Sequence, residues 1–324
     1  MARTFDDRTD ETPHDYGITR LAGGEKRFIP ISKQQFDAIH SAKEKLVIAL
    51  VIEEKLAILL ENYEEFEKDL LDSALNRSIF RFTSWSDHIS HLYKSNRRLV
   101  NLLTACRLYL DHVQHDLNLI YGDDCDAGKE IKTVKNIQYD TSLAYRVMEA
   151  LRNYVQHRGL PIHSFGFLGR WHDTPSRVAR NTVIPRLSVD RLKEDGGFKK
   201  QVMSELEAKA IAGYVDLRPL VREYVAGVGN IHLAIRQQLA ADVATWDARF
   251  ESAHAEFSKL NPPTMVGLGV VARDSSGEVI DEVPILTDLI KRRRWLQRRA
   301  HSLTHFAKHA ITNEVDVDED PDFD

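Results

Sequence analysis

The chain has 324 residues, 43% of them hydrophobic and 29% charged, with a formal net charge of −5. That length suits one large domain or two ordinary ones with a real core. The charge excludes a globally basic nucleic-acid binder, so any RNA contact needs a local basic patch. The two cysteines, Cys106 and Cys125, exclude a disulfide framework or a zinc knuckle, and a reducing cytoplasm is expected.

The first residues, MARTFDDRTDETPHDYG, are polar and acidic and lack the apolar core of a signal peptide. A polar tail and short β-hairpin are expected over 1–30, with Ile18–Leu21 and Arg27–Ile29 flanking Gly23-Gly24. Ser32 and Gln35 form a capping-box pattern. From Ser32 to Tyr121 there is neither glycine nor proline, which argues for long helices. The first is expected over about 32–76, burying Phe36, Ile39, Leu46, Leu50, Leu56, Leu59 and Leu60. The apolar run LVIALVIEEKLAILL within it is interrupted by Glu53, Glu54 and Lys55 and is too short and charged to span a membrane. A break falls in Ser78–Ser84, with Ser84 or Ser86 as a cap. The second helix, about 87–120, carries Leu99, Leu102, Cys106, Leu110, Val113 and Leu117 in steps of three and four. The loop GDDCDAGKE lacks calcium-loop spacing and reads as a solvated turn.

Tyr139 to His163 reads as one amphipathic helix that stops hard. Leu143, Val147, Ala150, Leu151 and Tyr154 make the apolar stripe. Asp140 or Thr141 can cap its start, Gly159 follows its last turn and Pro161 forbids re-entry. Three long helices with short connections make an antiparallel bundle over 31–163.

Beyond Pro161 the composition changes. Phe165–Trp171 is rich in glycine and aromatics, with Arg170, Arg177, Arg180 and Arg186 nearby, a mixture that suits single-stranded nucleic acid or a lid over a bundle end. Short strands are expected at 182–184 and 187–189. Helices follow at about 199–212 and 217–260, with Asp216 as a cap and Gly213, Gly227 and Gly229 as weak points. A hairpin turns at Asp274–Gly277. The last helix, about 287–311, carries KRRRWLQRR. Arg292, Arg293 and Arg294 there are candidate RNA contacts around Trp295, or else a solvated face or a partner for the acidic tail 316–324. His301, His305 and His309 form an i, i+4, i+8 ladder that reads as a polar face rather than a metal site. No metal or cofactor is expected.

The residues that carry chemistry are RNYVQH, Arg152–His157. Metal-free RNA cleavage needs a base for the 2′-hydroxyl proton and a cation for the charge developing on phosphorus. Histidine titrates near neutrality, and arginine forks onto phosphate. The helix dipole at a C-terminus favours protonated imidazole, so His157 also suits an acid. Five residues turn an ideal helix by about 140°, so Arg152 and His157 of one helix do not readily aim at one phosphate. Arg146 and Asn153 lie within about 40° of His157 on the same wheel. Other pairs share the spacing, among them Arg107 with His112, Arg158 with His163 and Arg249 with His254. Only Arg152 combines a polar neighbour with a helix end after long helices. The structural alternative is a solvated end with a capping histidine.

With Arg152, Asn153 and His157, this hexapeptide resembles the signature of the HEPN superfamily, an arginine, four to six residues and a histidine, often with a polar residue after the arginine. The match covers six residues directly, and 31–163 if the preceding helices belong to the same domain. The resemblance implies a HEPN-like helical bundle in a mainly α protein, with β-hairpins and further C-terminal helices added over 164–315. It implies a metal-independent endoribonuclease with a composite site at a homodimer interface, acting as a toxin or anti-phage effector. Arg152, Asn153 and His157 would be catalytic and Arg146 would hold RNA. An antitoxin or defence partner protein would be a further expectation. The alternative is a non-catalytic HEPN-like module that binds nucleotide, RNA or a partner protein.

Overall fold

The computed structural model describes residues 15–22, 27–80, 85–171, 179–262, 264–300 and 302–308. The fold is mainly α with small antiparallel sheets added. No helix among the described residues is long and apolar enough to cross a membrane.

Two compact units are present. The first holds the chain up to Ala57, His112–Lys129 and Ile235–Ala300. The second holds Ile58–Asp111, Glu130–Ala234 and the described residues after Ala300. Four helices contribute segments to both: α1 (Lys33–Ile79), α2 (Trp85–Tyr121), α3 (Asp126–Thr141) and α7 (Leu217–Ser258). The units are therefore discontinuous in sequence.

In the first unit, strands β1 (Asp15–Arg20), β2 (Phe28–Pro30), β6 (Leu268–Arg273) and β7 (Val279–Pro284) form a sheet in the order β2-β1-β6-β7. The expected hairpins are both there, although Gly23-Gly24 lie outside the described residues. Asp274 organises the β6–β7 turn, its Oδ1 accepting from the backbone N–H groups of Ser276 and Glu278 at 2.9 Å each. The Ser32–Gln35 capping box starts α1, with Ser32 N–H donating to Gln35 Oε1 at 2.9 Å and Gln35 N–H to Ser32 Oγ at 3.2 Å. Helix α8 (Thr287–Arg299) is shorter than its sequence pattern suggests. Of the ladder of His301, His305 and His309, only His305 is described, and it lies outside any helix. His301, His309, Ser84 and the acidic tail lie outside the described residues.

In the second unit, α1 and α2 run antiparallel. Lys94 pairs with Asp69 at 2.8 Å and Arg98 with Glu65 at 2.7 Å, so one numbering falls as the other rises. The heptad-like row Leu99, Leu102, Cys106 and Leu110 is buried as expected. The stretch from Tyr139 is not one helix. Ser142 adopts extended backbone angles (φ −111, ψ 116), and its Oγ accepts from Tyr145 N–H at 3.1 Å. It ends α3 and caps α4 (Leu143–His157), the role expected of Asp140 or Thr141. Helices α5 (Val189–Asp195) and α6 (Lys200–Ala208) follow a three-stranded sheet of β3 (Ser164–Trp171), β4 (Ala179–Ser188) and β5 (Tyr214–Asp216), ordered β3-β4-β5. The glycine-rich segment 165–171 is thus a strand rather than a loop. Asp216 caps α7, its Oδ1 accepting from Arg218 N–H at 2.9 Å. Gly229 does not interrupt α7. A Cβ there would lie 2.1 Å from the Leu303 carbonyl oxygen, so the missing side chain admits a backbone contact.

Candidate functional site

Helix α4 buries Ala144, Tyr145, Val147, Met148, Leu151 and Tyr154. That stripe holds one face inward and turns the motif outward. Asn153 and His157 are exposed, and Arg152 is half-exposed. The Arg152 guanidinium donates to Asn153 Oδ1 at 3.0 Å. Among the described residues neither Arg152 nor His157 has a carboxylate partner. The polar residue after the arginine therefore orients the guanidinium without neutralising it.

The neighbouring cations are committed elsewhere. Arg146 donates to the carbonyls of Tyr139 and Asp140 at 3.0 and 2.9 Å and pairs with Glu205. It closes the C-terminus of α3, whose last carbonyls lack helical donors. Its guanidinium, expected to meet RNA, is engaged within the chain. Arg158 donates to the Asp195 carbonyl.

The end of α4 is held from behind by a polar chain. Ser188 N–H donates to His163 Nδ1 at 2.8 Å, so the neutral imidazole carries its proton on Nε2. That Nε2 lies 3.4 Å from the Tyr154 hydroxyl, which donates to Asp195 Oδ2 at 2.6 Å. Burial and then Arg191 push the His163 pKa down to about 4. Burial and then the bond to Asp195 raise Tyr154 to about 12. Gly159 matters here for space, since a Cβ would stand 2.9 Å from the Tyr154 hydroxyl. Next along the chain, buried Asn96 of α2 brackets Ile162. Its Nδ2 donates to the Ile162 carbonyl at 2.9 Å, and its Oδ1 accepts from the Ile162 N–H at 2.8 Å. Sequence spacing gave no sign of Asn96 or Asp195.

On α4, Glu149 accepts from the Tyr224 hydroxyl at 2.6 Å and pairs with Arg107 at 3.4 Å. Cys106 is fully buried and its thiol pKa is pushed up, first by burial and then by Glu149. It is a core residue, as expected, and unsuited to nucleophilic work.

The basic helix α8 belongs to the first unit and differs from a free phosphate-tracking face. Arg293 is 4% exposed and bonds Asp247 at 2.5 Å. Arg294 pairs with Asp247 at 2.9 Å and Glu251 at 3.0 Å. Arg292 lies 3.8 Å from Glu54 and 4.7 Å from the Trp295 ring centroid. Acids of α7 and α1 thus balance the three arginines assigned to RNA. Around β3, Arg177 and the side chains of Arg170 and Arg180 lie outside the described residues. Among the described residues no three His, Cys, Asp or Glu side chains gather as metal ligands.

Comparison with protein-family models, with curated proteins and with solved structures finds no match to this chain.

Proposed function

We propose that the chain is a HEPN-type endoribonuclease that cuts without a metal, as a toxin or anti-phage effector. One observation carries this reading: the RNYVQH helix ends in a solvent-facing arginine and histidine, with Arg152 oriented by Asn153 and neither charge-paired among the described residues. The nearest cations in sequence, Arg146 and Arg158, are engaged.

The chemistry follows from these groups. Neutral His157 takes the proton of a ribose 2′-hydroxyl, and the oxygen attacks the adjacent phosphorus. The guanidinium of Arg152 binds the non-bridging oxygens as their charge grows. A protonated imidazole then gives its proton to the departing 5′-oxygen. The products are a 2′,3′-cyclic phosphate and a 5′-hydroxyl end. The roughly 140° between Arg152 and His157 on one helix favours a two-fold homodimer, with the arginine of one protomer serving the histidine of its partner.

The test is incubation of the purified protein with mixed RNA in EDTA, beside Arg152→Ala and His157→Ala. The reading expects cleavage by the wild type and a rate lower by about 10² to 10⁴ without the histidine. RNA binding with no cleavage would favour the non-catalytic module instead.

A further inference from the structure

The ribbon of β3 and β4 carries a charge pattern that the chemistry on α4 leaves unused. The two strands, SFGFLGRW and ARNTVIPRLS, hold the arginines Arg170, Arg180 and Arg186 and no acid, in a chain of net charge −5. In register, Ser164 stands opposite Arg186, Leu168 opposite Thr182 and Arg170 opposite Arg180. Residues two apart share a face of a strand, so all three arginine positions fall on one face. The other face, with Phe165, Phe167 and Val183, is packed on helices. There the Arg77 guanidinium of α1 sits 3.7 Å from the Phe167 ring centroid, and the His88 ring of α2 lies 6.1 Å from it.

The arginine face suits an anionic ligand. Like charges directly opposite in an antiparallel pair cost stability, and Arg170 and Arg180 occupy such a pair with no acid on either strand to offset it. Arg186 has no carboxylate partner among the described residues. The acid opposite it, Asp216 of β5, is taken by Arg218 at 2.7 Å. From Arg180 to Arg186 the strand runs about 20 Å, a track for several successive phosphates rather than a pocket for one. On the same face Leu168 is 50% exposed, and Tyr214 of β5 lies 5.8 Å from the Arg186 guanidinium. Apolar and aromatic surface beside cations suits the unpaired bases of a single strand. The base of the ribbon is tied to α4, because His163 accepts the Ser188 N–H at 2.8 Å and meets Tyr154.

We propose that this face of the ribbon binds the phosphate backbone of single-stranded RNA, with Arg170, Arg180 and Arg186 on successive phosphates and Leu168 and Tyr214 against the bases. The choice of RNA rests on the nuclease reading, and the ribbon is the docking track of the strand that α4 cuts. It supplies the local basic patch that α8, with its three arginines balanced by acids, does not.

Fluorescence anisotropy of a labelled single-stranded RNA, with the full chain carrying His157→Ala so that the strand stays whole, measures affinity against salt. Each arginine on a phosphate steepens the fall of log K with log salt by about 0.7, which is about fivefold in affinity at about 0.1 M salt. Arg170→Gln, Arg180→Gln and Arg186→Gln together should therefore reduce the steepness by about 2 and the affinity by about 100-fold. Arg180→Gln alone should reduce the steepness by about 0.7, with a melting temperature equal to or above that of its parent, because it removes a like-charge pair. Duplex RNA of the same length, and polyglutamate of equal charge, should bind more weakly than the single strand. An unchanged salt dependence in the triple variant would overturn the proposal. So would a lower melting temperature in Arg180→Gln, which would give that arginine a role in the fold. Duplex or polyglutamate binding as tightly as the single strand, or no RNA binding at all, would also overturn it. The two readings fail separately. A wild type that binds in this pattern without cutting refutes the nuclease alone, and one that cuts while the triple variant binds unchanged refutes the ribbon alone.

Discussion

His163 should make the fold sensitive to acid in a specific window. Its Nδ1 accepts the Ser188 N–H, its Nε2 faces the Tyr154 hydroxyl, and Arg191 and Asp195 are the charges that act on it. Protonating Nδ1 would set two donors against each other at 2.8 Å. The folded pKa of about 4 lies below the ordinary imidazole value of 6.5. The native state therefore prefers neutral imidazole. Its stabilising effect is complete above pH 6.5 and is lost as pH falls from 6.5 towards 4. Between pH 7.5 and pH 5 the full shift corresponds to about 2 kcal/mol. The imidazole is only partly buried, so solvent screening reduces this to about 1 kcal/mol. Urea unfolding at the two pH values, on the wild type and on His163→Asn, measures it. Asparagine keeps an acceptor near Nδ1 but does not titrate. The pH-dependent loss in His163→Asn should be smaller by about 1 kcal/mol. Equal losses in both proteins would refute the argument.

Further outcomes follow from the buried pairs. Asp247→Ala leaves Arg293 buried without its partner and should destabilise by about 3–5 kcal/mol in thermal or urea unfolding, whereas Asp247→Leu with Arg293→Met should recover most of that loss. An unchanged melt in Asp247→Ala would show that α8 is not anchored there. Asn96→Ala removes both bonds to Ile162 and should cost about 2–4 kcal/mol, with faster amide exchange at Ile162 as its local signature. Arg152→Ala and His157→Ala, by contrast, should each alter stability by no more than about 0.5 kcal/mol, because their side chains face solvent.

Much of this architecture is legible in residue spacing. The long glycine-free stretch, the capping box at Ser32, the buried row on α2 and the stop after His157 are local signals, and each has its counterpart in the structure. The break at Ser142 is hidden because the apolar spacing continues through it on both sides. Strand β3 is hidden because Gly166 and Gly169 read as loop. Gly166 faces Arg186, where a Cβ would lie 2.4 Å from the guanidinium. Whether Arg146 or Arg293 meets a ligand depends on Glu205 and Asp247, 59 and 46 residues away. The exposure of Arg152 and His157 was legible because it follows from the periodicity of a single helix.

The most direct test of the central claim is complementation between two inactive variants. Arg152→Ala and His157→Ala are purified separately, mixed under conditions that exchange subunits, and assayed for RNA cleavage in EDTA. In a composite two-fold site, each mixed dimer regains one intact pairing of arginine and histidine. With mixed dimers making up half of the population, activity should return to about a quarter of the wild-type rate. No recovery in the mixture, with wild-type protein active, would contradict the shared site. No cleavage by the wild type itself would contradict the nuclease.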